Sequence, residues 1–128
     1  GYMKDKVTAS GALTGLGSVS LKKQNFQTAQ QYFTKALDVS PKDATSAYNV
    51  GEIFFSNQKI DEAIKYFILA IEIDKHWSPS YLKLGYVYLN KADYNKALEY
   101  FQKFIQIDPE NAEVPNVKKL IETIKNLK

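Results

Sequence analysis

The chain has 128 residues, with 17 Lys, no Arg, 14 acidic residues and one His, for a net charge of +3 at pH 7. The absence of cysteine excludes disulfides, thiolate zinc sites and cysteine nucleophiles, and the single histidine excludes a multi-histidine metal site. At 45% hydrophobic and 24% charged residues, the composition is that of an ordinary globular domain.

The charge distribution also argues against two kinds of partner. Lysines dominate the two ends of the chain while the middle is acidic, and arginine, which makes bidentate phosphate and guanine contacts, is absent. No nucleic-acid partner is therefore expected. No window of 18 apolar residues occurs, so no membrane contact is expected from this segment.

Residues 1–9 precede the first regular pattern and are predicted to be an N-terminal extension or linker stub, or an extension of the first helix. They contain no hydrophobic signal core and no stretch predicted to cap the array of helices. We therefore expect this domain to belong to a longer protein. The lack of cysteine favours the cytoplasm, but the compartment stays unknown. An exported domain is the alternative if the native N-terminus lies upstream.

From residue 10 onward the sequence repeats every 34 residues. The copies are residues 10–43, 44–77 and 78–111. Small and aromatic residues recur at this spacing: Gly17, Gly51, Gly85; Ala29, Ala63, Ala97; Phe33, Phe67, Phe101. An apolar position, Leu16, Val50 and Leu84, follows the same step.

Each copy predicts two helices. In the second copy, Ala47, Val50 and Phe54 share one helical face, and residues 56–59 interrupt the pattern before a second face begins at Ile60. The copies end at residues 40–41, 74–75 and 108–109, where the chain turns. Ser78 is predicted to be an N-cap residue, with proline following in the first helical position.

The small residues predict where the two helices of a copy cross, because close helix axes leave room only for small side chains. Each glycine of the first helix is expected to face the alanine of the second, as in Gly51 and Ala63. The phenylalanines are then expected to pack between repeats.

Residues 112–128 predict one more helix, starting near Pro115, that caps the array. Its apolar stripe is Val114, Val117, Leu120, Ile121, Ile124 and Leu127. Its polar face is Lys118, Lys119, Glu122, Lys125 and Lys128.

This pattern resembles the tetratricopeptide repeat (TPR) family. The third copy carries the signature at Tyr81, Leu84, Gly85, Tyr88, Ala97, Phe101 and Pro109. The second copy matches at Val50, Gly51, Phe54, Ala63, Phe67 and Ala70, and the first is weakest in its first helix. The resemblance implies an all-α fold, an α-solenoid of three TPR helix-turn-helix repeats plus a C-terminal capping helix. It specifies the fold far better than the ligand.

No arrangement of residues predicts catalysis, so the chain is expected to be neither an enzyme nor a cofactor-binding protein. The glycines from Gly11 to Gly17 lack the lysine and the preceding strand of a phosphate loop. Asp61 and Glu62 open a helix, where the dipole favours negative charge. His76 has no nucleophile at a supporting spacing, so an exposed or capping role is favoured over a catalytic one.

In such a solenoid the first helix of each repeat lines the concave side. The first repeat offers a bare floor there, with Gly11, Thr14 and Gly15. The other two offer aromatic and polar side chains suited to a peptide or helix of a partner protein. These candidate binding residues are Tyr48, Asn49, Glu52, Phe55, Leu82, Lys83, Tyr86, Leu89 and Asn90. The alternative is that the rings pack between neighbouring first helices.

One TPR subclass grips the terminal carboxylate of a chaperone tail with five residues. The resemblance would require lysine, asparagine, asparagine, lysine and a basic residue at five positions of this chain. Those positions hold Thr14, Ser18, Asn49, Pro79 and Lys83, so only the third and fifth match. Chaperone-tail binding is therefore not expected, although Asn49 and Lys83 could hold one acidic group.

The sequence thus favours a non-enzymatic interaction module that binds a partner's peptide or helix in the concave groove. The alternative is a structural role in self-association, through the uncapped N-terminal end or an aromatic face. A monomer is favoured over a homo-oligomer. RNA binding and a regulatory domain of an attached enzyme are weaker alternatives.

Overall fold

The structure, a computed structural model, describes residues 2–39 and 43–127, and the side chains of residues 9–39 and 43–127. These residues form seven helices and no strand, which confirms the all-α fold class. The predicted repeat end at residues 40–41, and Lys128 of the predicted cap, lie outside the described residues. The helices are α1 (Tyr2–Lys22), α2 (Phe26–Val39), α3 (Ala44–Ser56), α4 (Ile60–Ile73), α5 (Ser78–Asn90), α6 (Tyr94–Ile107) and α7 (Val114–Leu127).

The chain divides into two compact units, one ending at Asp74 and the other beginning at Lys75. In the first unit α1 packs on α2, α2 on α3 and α3 on α4. In the second, α5 packs on α6 and α6 on α7. Only three residues join the two helices of each hairpin, so the paired helices run antiparallel. The backbone of residues 2–9 is part of α1, as in the prediction that this stretch extends the first helix.

The three turns inside the hairpins share a left-handed residue that the sequence pattern did not indicate. Gln24, Gln58 and Ala92, again 34 residues apart, have φ of 61°, 63° and 57°. In the third turn the amide of Ala92 donates to the Leu89 carbonyl, and the amide of Asp93 donates to that of Tyr88. This is the Schellman arrangement, which satisfies the last carbonyls of a helix and usually carries glycine at the left-handed position.

Replacing Ala92 with glycine should raise the free energy of unfolding by roughly 0.5–1 kcal/mol. Alanine at positive φ costs about 1–2 kcal/mol, and the greater freedom of glycine in the unfolded chain offsets part of the gain. Urea denaturation of the two proteins measures the difference. Ala112→Gly, at an exposed position outside these turns, is the control and should bring no gain. If the Ala92→Gly protein were less stable than the wild type, the proposed backbone strain at Ala92 would be contradicted.

The glycine contact differs from the prediction. A Cβ built on Gly17, Gly51 or Gly85 comes within 2.6, 2.7 and 2.5 Å of its nearest neighbour, which in every hairpin is a phenylalanine ring of the second helix. The rings belong to Phe33, Phe67 and Phe101, one helical turn beyond the predicted alanines, and all three are fully buried. The ring fills the space at the crossing, because alanine is too short to do so. Phe33 also packs toward the next repeat, in one cluster with Val50 and Ile53.

The predicted capping helix is present as α7, starting at Val114, one residue before the predicted start. Val114, Val117, Ile121 and Ile124 are buried, and Leu120 is half-buried. Leu127 is 57% exposed, so its assignment to the apolar stripe was wrong. Of the polar face, Lys118, Lys119, Glu122 and Lys125 are exposed as predicted.

Ser78 is the first residue of α5 and not its N-cap, which is Trp77. The Ser78 hydroxyl donates instead to Asp108 Oδ2 over 2.8 Å, and Asn111 Nδ2 donates to the same oxygen over 2.8 Å. These bonds connect the start of α5 to the end of α6. Hydrogen bonds from Asn111 and Ser78 hold the pKa of the Asp108 carboxyl below its ordinary value of 3.8.

This shift predicts a contribution of Asp108 to the acid sensitivity of folding. Because its folded pKa lies below the unfolded one, the contribution is complete above about pH 4 and is lost as the pH falls through the folded pKa. We expect Asp108→Asn to lose stability less steeply than the wild type below about pH 4 in denaturation curves. Glu110→Gln, two residues away, controls for the loss of one negative charge. Parallel curves for Asp108→Asn and wild type would contradict this role.

Candidate functional site

The first part of the predicted binding surface lies on α3. Tyr48, Asn49, Glu52 and Phe55 are all half-buried there. The centroid of the Tyr48 ring is 5.5 Å from that of Phe67, with the ring planes tilted by 46°. The contact joins Tyr48 to the same fully buried phenylalanine that Gly51 accommodates. The ring is therefore held in place by α4 while part of it stays exposed.

Tyr48 and Glu52 lie one helical turn apart, and their side chains form a hydrogen bond. Burial raises the pKa of the Tyr48 hydroxyl, and the charge of Glu52 and a hydrogen bond with it raise that pKa further. Tyr48 is consequently a neutral hydrogen-bond donor at any physiological pH. The pair places an acceptor and an aromatic ring side by side on one face of α3.

The second part of the surface lies on α5. Leu82, Lys83, Tyr86 and Leu89 are half-buried, and Asn90 is exposed. The Tyr86 ring meets Phe101 edge to face, with centroids 5.2 Å apart and planes at 83°. As with Tyr48, the tyrosine rests on the buried phenylalanine of the following helix.

Sequence reasoning missed a charged neighbour of this second part. Burial raises the pKa of Tyr86 and the negative charge of Glu113 raises it further, which brings the residue just before α7 into the surroundings of Tyr86. The repeat pattern could not indicate this, because Glu113 lies beyond the third repeat. Glu113, from the segment before the cap, thus places a negative charge near Tyr86.

The predicted alternative for the rings was packing between neighbouring first helices. The ring contacts of Tyr48 and Tyr86 described above are with phenylalanines of second helices, α4 and α6, and the alternative stays a prediction. Each tyrosine keeps part of its surface exposed. A side chain fixed on one side and open on the other loses little freedom on binding, which suits an anchor for a ligand.

The corresponding face of α1 is open at its glycines and polar in its middle. A Cβ added at Gly11 or Gly15 would meet nothing within 4 Å, so there is open space at both glycines. Thr14 Oγ1 lies 2.8 Å from Ser46 Oγ and 2.9 Å from the Ser10 carbonyl. Ser46 in turn donates to Asp43 Oδ2 over 2.6 Å. Thr14 therefore belongs to a network that connects α1 to α3.

The residues considered for catalysis occupy structural positions. Asp61 and Glu62 lie in the first turn of α4, and His76 is exposed between α4 and α5. Within residues 2–39 and 43–127, no three histidine or acidic side chains are grouped so as to hold a metal ion. None of the helices in the described part of the chain is long and apolar enough to cross a membrane.

Two family models match the chain, both described as tetratricopeptide repeat, over residues 14–76 and 78–111. The chain belongs to the tetratricopeptide repeat family, and its all-α helical-repeat fold is the fold of that family. Family and fold are of a non-enzymatic, protein-interaction type. No curated protein matches the chain.

Solved TPR domains have the same fold at low sequence identity. The Arabidopsis OM64 TPR domain superposes with a TM-score of 0.82 at 21% identity, covering 92% of this chain and 98% of its own. The TPR2B domain of yeast Sti1, in complex with pHsp70, gives 0.84 at 18% identity, covering 94% and 99%. The first TPR of Spaghetti (RPAP3), bound to the HSP90 peptide SRMEEVD, gives 0.82 at 18%, covering 94% and 93%. These likenesses show the fold of the chain.

Proposed function

We propose that the chain binds a peptide or helix of a partner protein in the concave groove lined by the first helices of its repeats. The contact residues would be Tyr48, Asn49, Glu52 and Phe55 on α3, and Leu82, Lys83, Tyr86, Leu89 and Asn90 on α5. The support is that Tyr48 and Tyr86 are each held by a buried phenylalanine and left partly open. Fixed aromatic side chains beside polar groups are typical hot spots of protein interfaces.

The polar groups favour an internal segment of the partner over a terminal carboxylate. Thr14 and Pro79 stand where a tail-binding clamp would need lysines, and the Thr14 hydroxyl already contacts Ser46 and the Ser10 carbonyl. Asn49 can donate and accept hydrogen bonds, Glu52 is a negatively charged acceptor and Lys83 is a positively charged donor. This mixture suits the backbone and the varied side chains of an extended peptide or helix. The partner is therefore proposed to be a mixed polar and apolar segment.

A peptide selection followed by NMR mapping tests this proposal. Peptides would be selected from a random displayed library against the intact 128-residue chain, and their contacts mapped by amide chemical shifts. We expect the largest shifts on α3 and α5 near Tyr48 and Tyr86. Shifts concentrated on other helices would contradict the groove.

The variants must separate binding from folding. Because Tyr48 and Tyr86 pack on buried phenylalanines, alanine there would lower stability as well as affinity. Asn49→Ala and Lys83→Ala remove polar groups of half-buried residues instead, and should weaken selected peptides by at least severalfold. Lys118→Ala on the exposed face of α7 is the control and should leave binding unchanged.

A second experiment tests the exclusion of a tail-binding clamp. The peptide SRMEEVD would be titrated as the free acid and with an amidated C-terminus. A clamp discriminates strongly between the two, because it holds the terminal carboxylate with several charged groups. We expect both forms to bind weakly and alike. A strong preference for the free acid would contradict the proposal that the partner segment is internal.

Self-association is the second candidate function, supported by the exposed apolar residues Leu16 and Val19 on α1. The monomer is the proposed state. Sedimentation at several concentrations distinguishes the two candidates. A constant monomer mass supports the interaction module, and a mass that rises with concentration supports assembly.

A further inference from the structure

A cavity lies where the start of α2 meets the end of α3. Phe26, which is 36% exposed, and the half-buried Phe54 are its aromatic lining residues. Its other lining residues are polar: Gln27, Gln30, Asn57 and Lys59. It is called here the Phe26 cavity. Since α1 and α3 both pack on α2, the cavity has its flanking helices in place and does not arise from an end of the repeat array.

The size of the Phe26 cavity suits a single side chain. Its volume is about 250 Å³, below the roughly 300–1,000 Å³ typical of small-molecule sites. The Phe54 ring is stacked on that of Tyr66, with centroids 5.3 Å apart and planes at 16°. Asn57 Nδ2 donates to the Ile53 carbonyl over 2.8 Å. Two lining side chains are therefore already held in place, which lowers the entropy that binding would cost.

The cavity continues along α2. Gln27 and Gln30 also line a second cavity, together with Gln31, Thr34 and Lys35. The two cavities share these glutamines and form one surface, called here the α2 groove. An α-helix rises about 1.5 Å per residue, so the groove extends about 13 Å from Phe26 to Lys35. About four residues of an extended chain cover this distance.

The amides of the groove are a feature of the first repeat alone. The residue that matches Gln30 is Ile64 in the second repeat and Leu98 in the third. The packing of the repeats therefore does not call for an amide at this position. A glutamine side chain both donates and accepts hydrogen bonds, and several along a groove can bind the backbone of an extended peptide.

The charge around the groove is positive. Residues 9–37 contain Lys22, Lys23 and Lys35 and no acidic residue. Lys59 adds a further positive charge beside the Phe26 cavity. Within the described part of the chain, neither cavity has an acidic lining residue. The acids nearest to the lining lysines along the chain are Asp38, Asp61 and Glu62. The groove therefore favours a negatively charged ligand.

We propose that the α2 groove binds an extended, acidic segment of a partner protein. A bulky apolar side chain of that segment enters the Phe26 cavity and an adjacent acidic residue pairs with Lys59. A second acidic residue, about four residues from the apolar one, pairs with Lys35. Both ends of this chain carry more lysine than acid, so neither supplies such a segment. The α2 groove uses other residues than the concave groove, so the two proposals can fail separately.

The probe is the peptide ESSEFESSE, acetylated and amidated, which carries glutamate one and four residues from its phenylalanine on both sides. The test therefore does not depend on the direction of binding. The peptide is titrated into the intact 128-residue chain and followed by amide chemical shifts. We expect saturable shifts at residues 26–35 and 54–59. The peptides QSSQFQSSQ and ESSESESSE, which lack the charges and the ring respectively, should each bind at least about fivefold more weakly.

The protein variant is Lys35→Glu with Lys59→Glu. Both lysines are exposed, so the melting temperature should stay nearly unchanged. Lys65→Glu with Lys118→Glu is the matched control, because it makes the same change of net charge at exposed lysines that line neither cavity. At about 0.15 M salt, where distant charges are screened, we expect the first variant to weaken binding at least about tenfold and the control to leave it within about twofold.

The proposal is overturned if ESSEFESSE causes no saturable shifts at residues 26–35, or if its shifts lie only on α3 and α5 near Tyr48 and Tyr86. Equal affinity of ESSESESSE would overturn the role of the Phe26 cavity, and equal affinity of QSSQFQSSQ would overturn the preference for acid. A concentration-dependent dimer that Lys35→Glu with Lys59→Glu abolishes would assign the groove to a second copy of this chain instead.

Discussion

Phe67→Ala should lower the free energy of unfolding by about 3–5 kcal/mol, the usual cost of removing a buried phenylalanine ring. Phe67 is fully buried, fills the space left by Gly51 and supports the ring of Tyr48. Glycine offers no side chain that could move into the cavity, so the site cannot close around the missing ring. Urea denaturation followed by circular dichroism measures the loss.

Phe26→Ala is the matched control for this change. Phe26 is 36% exposed at the start of α2, so its truncation removes less buried surface and should cost no more than about 1.5 kcal/mol. A Phe67→Ala protein as stable as Phe26→Ala would contradict the role of the ring at the helix crossing.

Gly51→Leu should be destabilising by about 1–3 kcal/mol or more, because the added side chain overpacks the crossing. Even its Cβ would come 2.7 Å from two atoms of the Phe67 ring, closer than van der Waals contact allows. The ring lies in a fully buried place and cannot move without displacing its neighbours. Thermal melting gives a first reading, and denaturant curves give the free energy.

The same substitution at Gly15 is the control. A Cβ there meets nothing within 4 Å, so leucine adds helix propensity without a clash. Relative to glycine, leucine favours the helix by several tenths of a kcal/mol, so Gly15→Leu should raise stability slightly. Equal losses at Gly15 and Gly51 would show that helix geometry alone, without the ring, accounts for the effect.

A double-mutant cycle measures how far Gly51 and Phe67 act as one unit. In the Gly51→Ala background, Phe67→Leu should cost less than it does in the wild type, because the smaller side chain relieves the clash with the new Cβ. Coupling of about 0.5–3 kcal/mol is typical of residues in direct contact. Additive losses would contradict the direct contact.

The sequence predicted the helices because the pattern of each helix occurs three times, once in every 34-residue copy. All seven helices occur, including α7, whose stripe from Val114 to Ile124 has the spacing of one buried helix face. The helix pairing follows as well, since three-residue connections leave little choice of partner. Because the same helix pattern occurs in three copies, one unusual residue in a single copy does not change the helix assignment.

Side-chain details at the helix ends and crossings were predicted less well. Glycine and alanine recur at the same spacing as phenylalanine, and spacing alone did not indicate that the ring of Phe67 occupies the space beside Gly51. The left-handed turns escaped prediction because glutamine and alanine hold the positions that glycine usually takes. Serine is a residue type that often forms an N-cap, but the Ser78 hydroxyl donates its hydrogen bond to Asp108 instead.

For the candidate site, the sequence by itself determined the family, the helical face of each repeat and the residue types on it, because these follow from periodicity. Only the tertiary structure decided how those residues are supported. It placed Tyr48 on Phe67, Tyr86 on Phe101, and Thr14 in contact with Ser46. It also decided that Leu16 is exposed where Val50 and Leu84 are buried. The reason is physical: equivalent positions in a repeat acquire different environments when the packing around them differs from copy to copy.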